Sequence, residues 1–132
     1  MKMKISASDQ KEVEAIKQLA FDFKSLGYWV APRSDLLPGV IAVKVVSGSA
    51  VFLAADYYAG SSVIENCVSN ILRYFYSGFD GVLIGVPSEE VKDQILHEID
   101  SKIADRLGIR RNIAVVVIGQ QEKEGRPDEV EG

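Results

Sequence analysis

The chain has 132 residues, 47% of them hydrophobic and 26% charged, and a formal charge of −4; this is ordinary globular composition and enough length for one domain with its own core. A single cysteine, Cys67, excludes an internal disulfide, and the opening MKMKISAS has no apolar run behind its lysines, so neither a signal peptide nor a membrane span is expected. The acidic excess lies in residues 120–132, which leaves 13 basic and 14 acidic residues over 1–119, a balance that does not give the electrostatic footprint of a protein gripping many phosphates and lowers a nucleic-acid reading without removing it.

From Ser8 to Leu26, Val13, Ile16, Ala20, Phe23 and Leu26 step by three and four, which predicts an amphipathic helix capped by Ser8 or Asp9 and stopped at Gly27. YWVAPR, Tyr28 to Arg33, is short, aromatic and β-branched, and Pro32 confines it to an edge. VIAVKVV (Val40 to Val46) and AVFLAADYY (Ala50 to Tyr58) are β-rich runs separated by SGS. Three residues cannot hold a helical crossover, so the two strands form an antiparallel hairpin. In SSVIENCVSNILRYFYSG, Ile64, Cys67, Val68, Ile71, Leu72 and Phe75 define a second helix, with Ser61 or Ser62 as cap and Gly78 as stop. GVLIGVP (Gly81 to Pro87) is apolar enough for a strand covered on both faces. A third helix follows, with Ser88 as N-cap, Glu89 and Glu90 in its first turn and Val91, Ile95, Ile99, Ile103 and Leu107 every fourth residue to Gly108. NIAVVVIG (Asn112 to Gly119) reads as a final buried strand, and QQEKEGRPDEVEG as an acidic, disordered tail.

The expected fold is therefore α/β: a mixed sheet flanked by helices in the order α-β-β-β-α-β-α-β, forming a single domain over 1–119 with 120–132 as tail. A cytoplasmic location is expected. No glycine-rich phosphate loop follows the first strand, and Gly78, Gly81 and Gly85 lie before or within a strand, so a dinucleotide fold is excluded.

This order, together with GYWV, with RSD (Arg33 to Asp35) and with RYFYSGFDGVLIGVP, resembles the PD-(D/E)xK nuclease superfamily, the restriction endonuclease-like and Holliday junction resolvase-like proteins. The resemblance covers about residues 8–119 and implies a magnesium ion held by two acids, with a lysine two residues after the second to position the attacking water. Magnesium takes hard oxygen ligands and keeps several waters, so two carboxylates and a substrate phosphate suffice. Acid and lysine at alternate strand positions share one face, about 6.6 Å apart. By this resemblance Asp35 corresponds to the first acid and Asp56 to the second. The lysine position is Tyr58, and a phenol with a pKa near 10 is not a cation. Lys44 on the neighbouring strand pairs near Phe52 if the hairpin turns at Gly48, on the order of 13 Å from Asp56. On the second helix Asn70 and Tyr74 are similar to the glutamine-x-x-x-tyrosine of RecB-like nucleases, and Asn66, Asn70 and Arg73 share a polar face. Arg73 is the candidate for a migrated cation, and Glu14 or Glu12 for a third carboxylate.

Each candidate has a plainer reading beside it. Asp35 can begin a turn, Asp56 can close a strand facing solvent, and Asn70 with Arg73 can be the wet side of a helix. His97, Glu12 and Glu14 read as surface residues and Cys67 as a small core residue. Trp29, Tyr57, Tyr58, Tyr74 and Tyr76 serve equally as core residues, dimer contacts or stacking platforms for bases. The resemblance thus implies a nuclease-like domain that has lost catalysis and acts as a nucleic-acid-associated or assembly subunit, a homodimer that meets DNA or RNA through Arg33, Lys44, Asn70 and Tyr74. One alternative is an active magnesium-dependent nuclease with Asp35, Asp56 and Glu14 as ligands and Tyr58 or Arg73 in place of lysine. The other is a protein-binding α/β module unrelated to nucleic acid.

Overall fold

A computed structural model describes residues 7–32, 38–60, 64–103 and 108–118. They run as α1 (Ala7–Ser25), β1 (Trp29–Pro32), β2 (Val40–Val46), β3 (Ser49–Tyr57), α2 (Ile64–Tyr76), β4 (Gly81–Val86), α3 (Glu89–Lys102) and β5 (Ile113–Val117), with a 3-10 turn at Arg110–Asn112. The protein is α/β, with a five-stranded sheet in the order β1-β2-β3-β4-β5. The first two pairings are antiparallel and the last two parallel. None of the described helices is long and apolar enough to cross a membrane.

Local chemistry sets the ends of the elements. Ser88 caps α3 by accepting from the Val91 N–H at 3.3 Å, as its position ahead of two glutamates predicts. α2 closes as the Phe79 N–H reaches the Tyr74 carbonyl and the Gly78 N–H that of Phe75, the paired bonds of a Schellman motif. α1 begins at Ala7, so Ser8 and Asp9 lie inside it and not at its cap. Ser61 and Ser62, Leu107 and the tail lie outside the described residues.

The β2–β3 turn is tighter than SGS suggests. Ser47 and Gly48 both have positive φ, 53° and 82°, and Val46 pairs directly with Ser49. Two left-handed residues make the primed turn whose twist matches antiparallel strands. Lys44 consequently pairs with Val51, one residue away from the register read from the sequence.

Alternation along the strands divides the core in two. On one face α1 packs Ile16, Leu19, Ala20 and Phe23 against Val40, Ala42, Ala55 and Tyr57. On the other, α2 and α3 bury Cys67, Val68, Ile71, Ile95 and Ile99 against Ala54, Tyr58, Val82, Ile84 and Val115. β3-α2-β4 and β4-α3-β5 are parallel crossovers, and two crossovers of the same hand along one sheet direction must place both helices on the same side. Asp56 belongs to the α2 side, one residue out of phase with Ala55 and Tyr57.

Candidate functional site

Asp56 is 2% exposed, although it closes a strand. The solvent-facing reading of this residue is therefore wrong: β3 ends beneath α2, not at the surface. A carboxylate taken out of water needs hydrogen-bond donors, and three elements supply them. The Gly39 N–H, just ahead of β2, donates to Oδ1 at 2.7 Å. The Tyr74 hydroxyl of α2 donates to Oδ2, and the Tyr58 hydroxyl donates to the same oxygen at 3.4 Å. Asn70 Nδ2 donates to the Tyr58 oxygen at 2.8 Å and so completes a chain from Asn70 through Tyr58 to Asp56.

The fold brings these groups together for identifiable reasons. Tyr58 follows Asp56 by two residues and shares its face, and the Tyr58 N–H is tied to the Gly85 carbonyl at 2.9 Å. Asn70 and Tyr74 are one turn apart on α2 and point the same way. The Schellman turn packs Phe79 edge-on against Tyr74, ring centres 5.9 Å apart, and so fixes the phenol under Asp56. Gly39 lets the backbone approach closely: a Cβ there would lie 2.5 Å from Ile16 Cδ1.

Burial dominates the electrostatics. It raises the Asp56 carboxyl above its ordinary 3.8, while the bonds from Tyr74, Gly39 and Tyr58 hold it down in part. Burial, reinforced by the Asp56 charge, raises Tyr58 well above the ordinary phenol range. Burial and the bond to Asp56 do the same to Tyr74. Both phenols therefore stay protonated and act only as donors to the carboxylate. On the opposite face Tyr57 is also raised, by burial and then by Glu12.

The remaining candidates do not converge on Asp56. Lys44 lies on the α1 side: its Nζ donates to the Leu26 carbonyl at 3.0 Å and stands 5.1 Å from the Tyr28 ring centre. It pairs five positions before Asp56, about 17 Å along β3 and on the opposite face. Glu14 and Glu12 are exposed on α1, across the sheet from Asp56. Arg73 is exposed, and its charge opposes the rise at Tyr74 as the smallest of the influences on that phenol. Arg33 and Asp35 lie outside the described residues.

Asp56 is not presented as an open ligand in this arrangement. A hard cation needs carboxylate lone pairs open to it and to a phosphate, and both oxygens of Asp56 are held by internal N–H and O–H donors. Among the described residues no group of three or more His, Cys, Asp and Glu is placed to hold a metal. What the arrangement does chemically is join the start of β2, the end of β3 and α2 through one carboxylate.

The stacking-platform reading fails for Tyr57, Tyr58 and Tyr74, which are 8%, 8% and 4% exposed, and holds open only for Trp29 and Tyr76, at 71% and 95%. The reading of Asn70 as part of a wet face is likewise corrected: Asn70 is buried, whereas Asn66 and Arg73 of the same helix are exposed. The signal was present in the spacing, since Cys67, Asn70, Ile71 and Tyr74 form one helical stripe. Cys67 is fully buried, and burial followed by the Asp56 charge pushes its thiol up to about 12. A disulfide reagent is expected to leave the native thiol unmodified and to titrate it fully after denaturation, since the thiolate is the reactive form; labelling of the native protein at the denatured rate would contradict the packing around α2.

No family model matches the chain, and no curated protein matches it significantly.

Proposed function

We propose that the chain is a PD-(D/E)xK-like domain without catalytic activity, whose former metal-binding acid has become a structural brace, and that it works as an assembly subunit. The observation that carries this reading is the burial of Asp56 with internal donors on both of its oxygens, Gly39 on Oδ1 and Tyr58 and Tyr74 on Oδ2. The α/β sheet, with an antiparallel hairpin feeding two parallel crossovers, supports the nuclease-like ancestry. Tyr58, where that family carries lysine, supplies a neutral donor in place of a cation. Between assembly and nucleic-acid association the geometry favours assembly, because two of the four residues assigned to nucleic acid, Asn70 and Tyr74, are buried in the network and a third, Lys44, is tied to α1.

The test is calorimetric titration of magnesium and of manganese into the wild type and Asp56→Asn, with cleavage of branched and single-stranded DNA assayed in parallel. The expected result is no binding heat that depends on Asp56 and no cleavage. Binding abolished by Asp56→Asn, accompanied by cleavage in the wild type, would instead establish the rearranged nuclease.

A further inference from the structure

The topology gives the molecule two unlike ends. β3, β4 and β5 are parallel, so α2 and α3 must carry the chain back from the end of one strand to the start of the next, and α1 stops just ahead of β1. The C-termini of all three helices therefore share one end with the β2–β3 turn and with the first residues of β1, β3, β4 and β5. Two bonds tie this end together: Lys44 Nζ donates to the Leu26 carbonyl at 3.0 Å, and the Asp80 N–H to the Phe52 carbonyl at 2.8 Å. Among the described residues, every exposed large hydrophobic side chain lies in this half. Leu26, Trp29, Val45, Val46 and Tyr76 mark the end itself, and Phe21, Phe52 and Leu72 stand slightly further in. Trp29, Val45 and Phe52 project from the α2 side of the sheet, whereas Val46, in phase with Val40 and Ala42, projects from the α1 side. The apolar surface is thus a crown around one end and not a flat patch on one face.

Charge divides along the same axis. Lys24, Arg73 and Arg111 stand exposed among the apolar residues of this end, and among the described residues none of the three is in an ion pair. The first turns of the helices, at the other end, carry Glu12, Glu14, Glu65, Glu89, Glu90 and Asp93. The helix dipole accounts for cations at helix C-termini, but not for bare tryptophan, leucine and valine beside them. We propose that this end docks on an anionic lipid bilayer, with Leu26, Trp29, Val46 and Tyr76 in the headgroup layer and Lys24, Arg73 and Arg111 on the lipid phosphates. Three features point to a bilayer as the occupant. A crown that spans both faces of a sheet fits a fluid interface, which closes around protrusions from every side, whereas a protein partner needs one shape-complementary patch. Tryptophan and tyrosine have the amphipathic rings that settle at headgroup level, and long basic side chains reach past apolar neighbours to the phosphates. The anionic leaflet attracts the basic end and repels the acidic one, so it sets the orientation. Nucleic acid fits less well, because Leu26 and Val45, 65% and 68% exposed, offer no ring on which a base can stack. The docking is peripheral, since none of the described helices can cross a membrane.

This inference goes beyond the assembly reading and does not depend on it. Trp29 is the only tryptophan of the chain, so its fluorescence reports on the docking end directly. The full chain is mixed with vesicles of phosphatidylcholine alone and of phosphatidylcholine with about a quarter phosphatidylserine, and binding is read by co-sedimentation. The expected result is binding to the anionic vesicles that weakens as salt is added, a blue shift of the Trp29 emission, and quenching by brominated lipid. Arg73→Gln combined with Arg111→Gln should lower the partition about 25-fold, roughly fivefold per cation. Lys11→Gln combined with Lys92→Gln makes the same change of charge at the other end and should leave it unchanged. Trp29→Ser should lower it on the order of tenfold; circular dichroism confirms that the variants are folded. Absence of binding to the anionic vesicles overturns the inference, and so does binding without a change in Trp29 emission or binding that Lys11→Gln with Lys92→Gln weakens equally. If a single-stranded oligonucleotide quenches Trp29 and vesicles do not, the end is a nucleic-acid surface. If acrylamide fails to reach Trp29 before any vesicle is added, another part of the protein covers it, and the inference falls in that case too. None of these outcomes bears on metal binding, so the non-catalytic reading stands or falls separately.

Discussion

Replacing Tyr74 by phenylalanine is expected to cost about 3 kcal/mol of stability at neutral pH, the upper range for a hydrogen bond to a charged group, and distinctly less in acid. The reason is the state of Asp56. Burial raises its carboxyl in the folded protein above the ordinary 3.8, so the native state binds a proton more readily than the unfolded chain. Stability from this residue is then greatest below about 3.8 and is lost as the pH rises through the native pKa. The Tyr74 bond is the largest influence opposing that rise, and without it the native pKa moves higher still. Wild type and variant therefore diverge as the pH climbs from the wild-type native pKa to that of the variant, and the difference is constant above it. Urea unfolding of both proteins at intervals from pH 4.5 to 8 measures this. In an Asp56→Asn background the same substitution should cost only about 1 kcal/mol, with no dependence on pH. A penalty that is flat with pH in the wild-type background would mean that Tyr74 is not donating to an ionised carboxylate, and the brace would lose its electrostatic basis.

The elements were legible in the sequence wherever burial is one-sided or complete. Gly81–Val86 stands out as an apolar run because both faces of the strand are covered, whereas Val40–Val46 is fully buried only at Val40 and Ala42 on its α1 side. The antiparallel pairing of β2 with β3 was legible from the shortness of SGS, but its register was not, because the turn uses two left-handed residues, Ser47 and Gly48. One residue of register decides which face each side chain occupies, and the placement of Lys44 and Asp56 on opposite faces follows from it. The candidate site was legible in its members but not in its meaning. Asp56, Tyr58, Asn70 and Tyr74 were each marked, but polarity alone assigns Asp and Asn to solvent. Only the packing of α2 over the end of β3 makes them satisfy one another. Trp29 was legible as an unusual residue, whereas its exposure depends on where α2 and α3 end, and local sequence does not carry that information.

Ile84→Ala is the most damaging substitution expected in the core, at about 4 kcal/mol. Ile84 sits on the interior strand β4, pairs with Asp56 and is fully buried under α2 and α3. Neighbours fixed on strands and helices cannot collapse into the space left by three carbons, so the transfer and cavity costs add. Against a typical stability of about 5–15 kcal/mol for a domain, that is a large fraction. The adjacent Leu83 gives the internal comparison. It is half-buried and faces the α1 side beyond the main contact of α1, so Leu83→Ala should cost about 1–2 kcal/mol, since large-to-small costs scale with the surface removed from water. Urea denaturation, with the slope checked for constancy so that midpoints can be compared, distinguishes the two. The ratio of the penalties measures how unequally the two sides of β4 are covered. Equal penalties would mean that the α1 side of β4 is as well packed in solution as the α2 side, and that the contact of α1 extends further across the sheet than β1, β2 and β3.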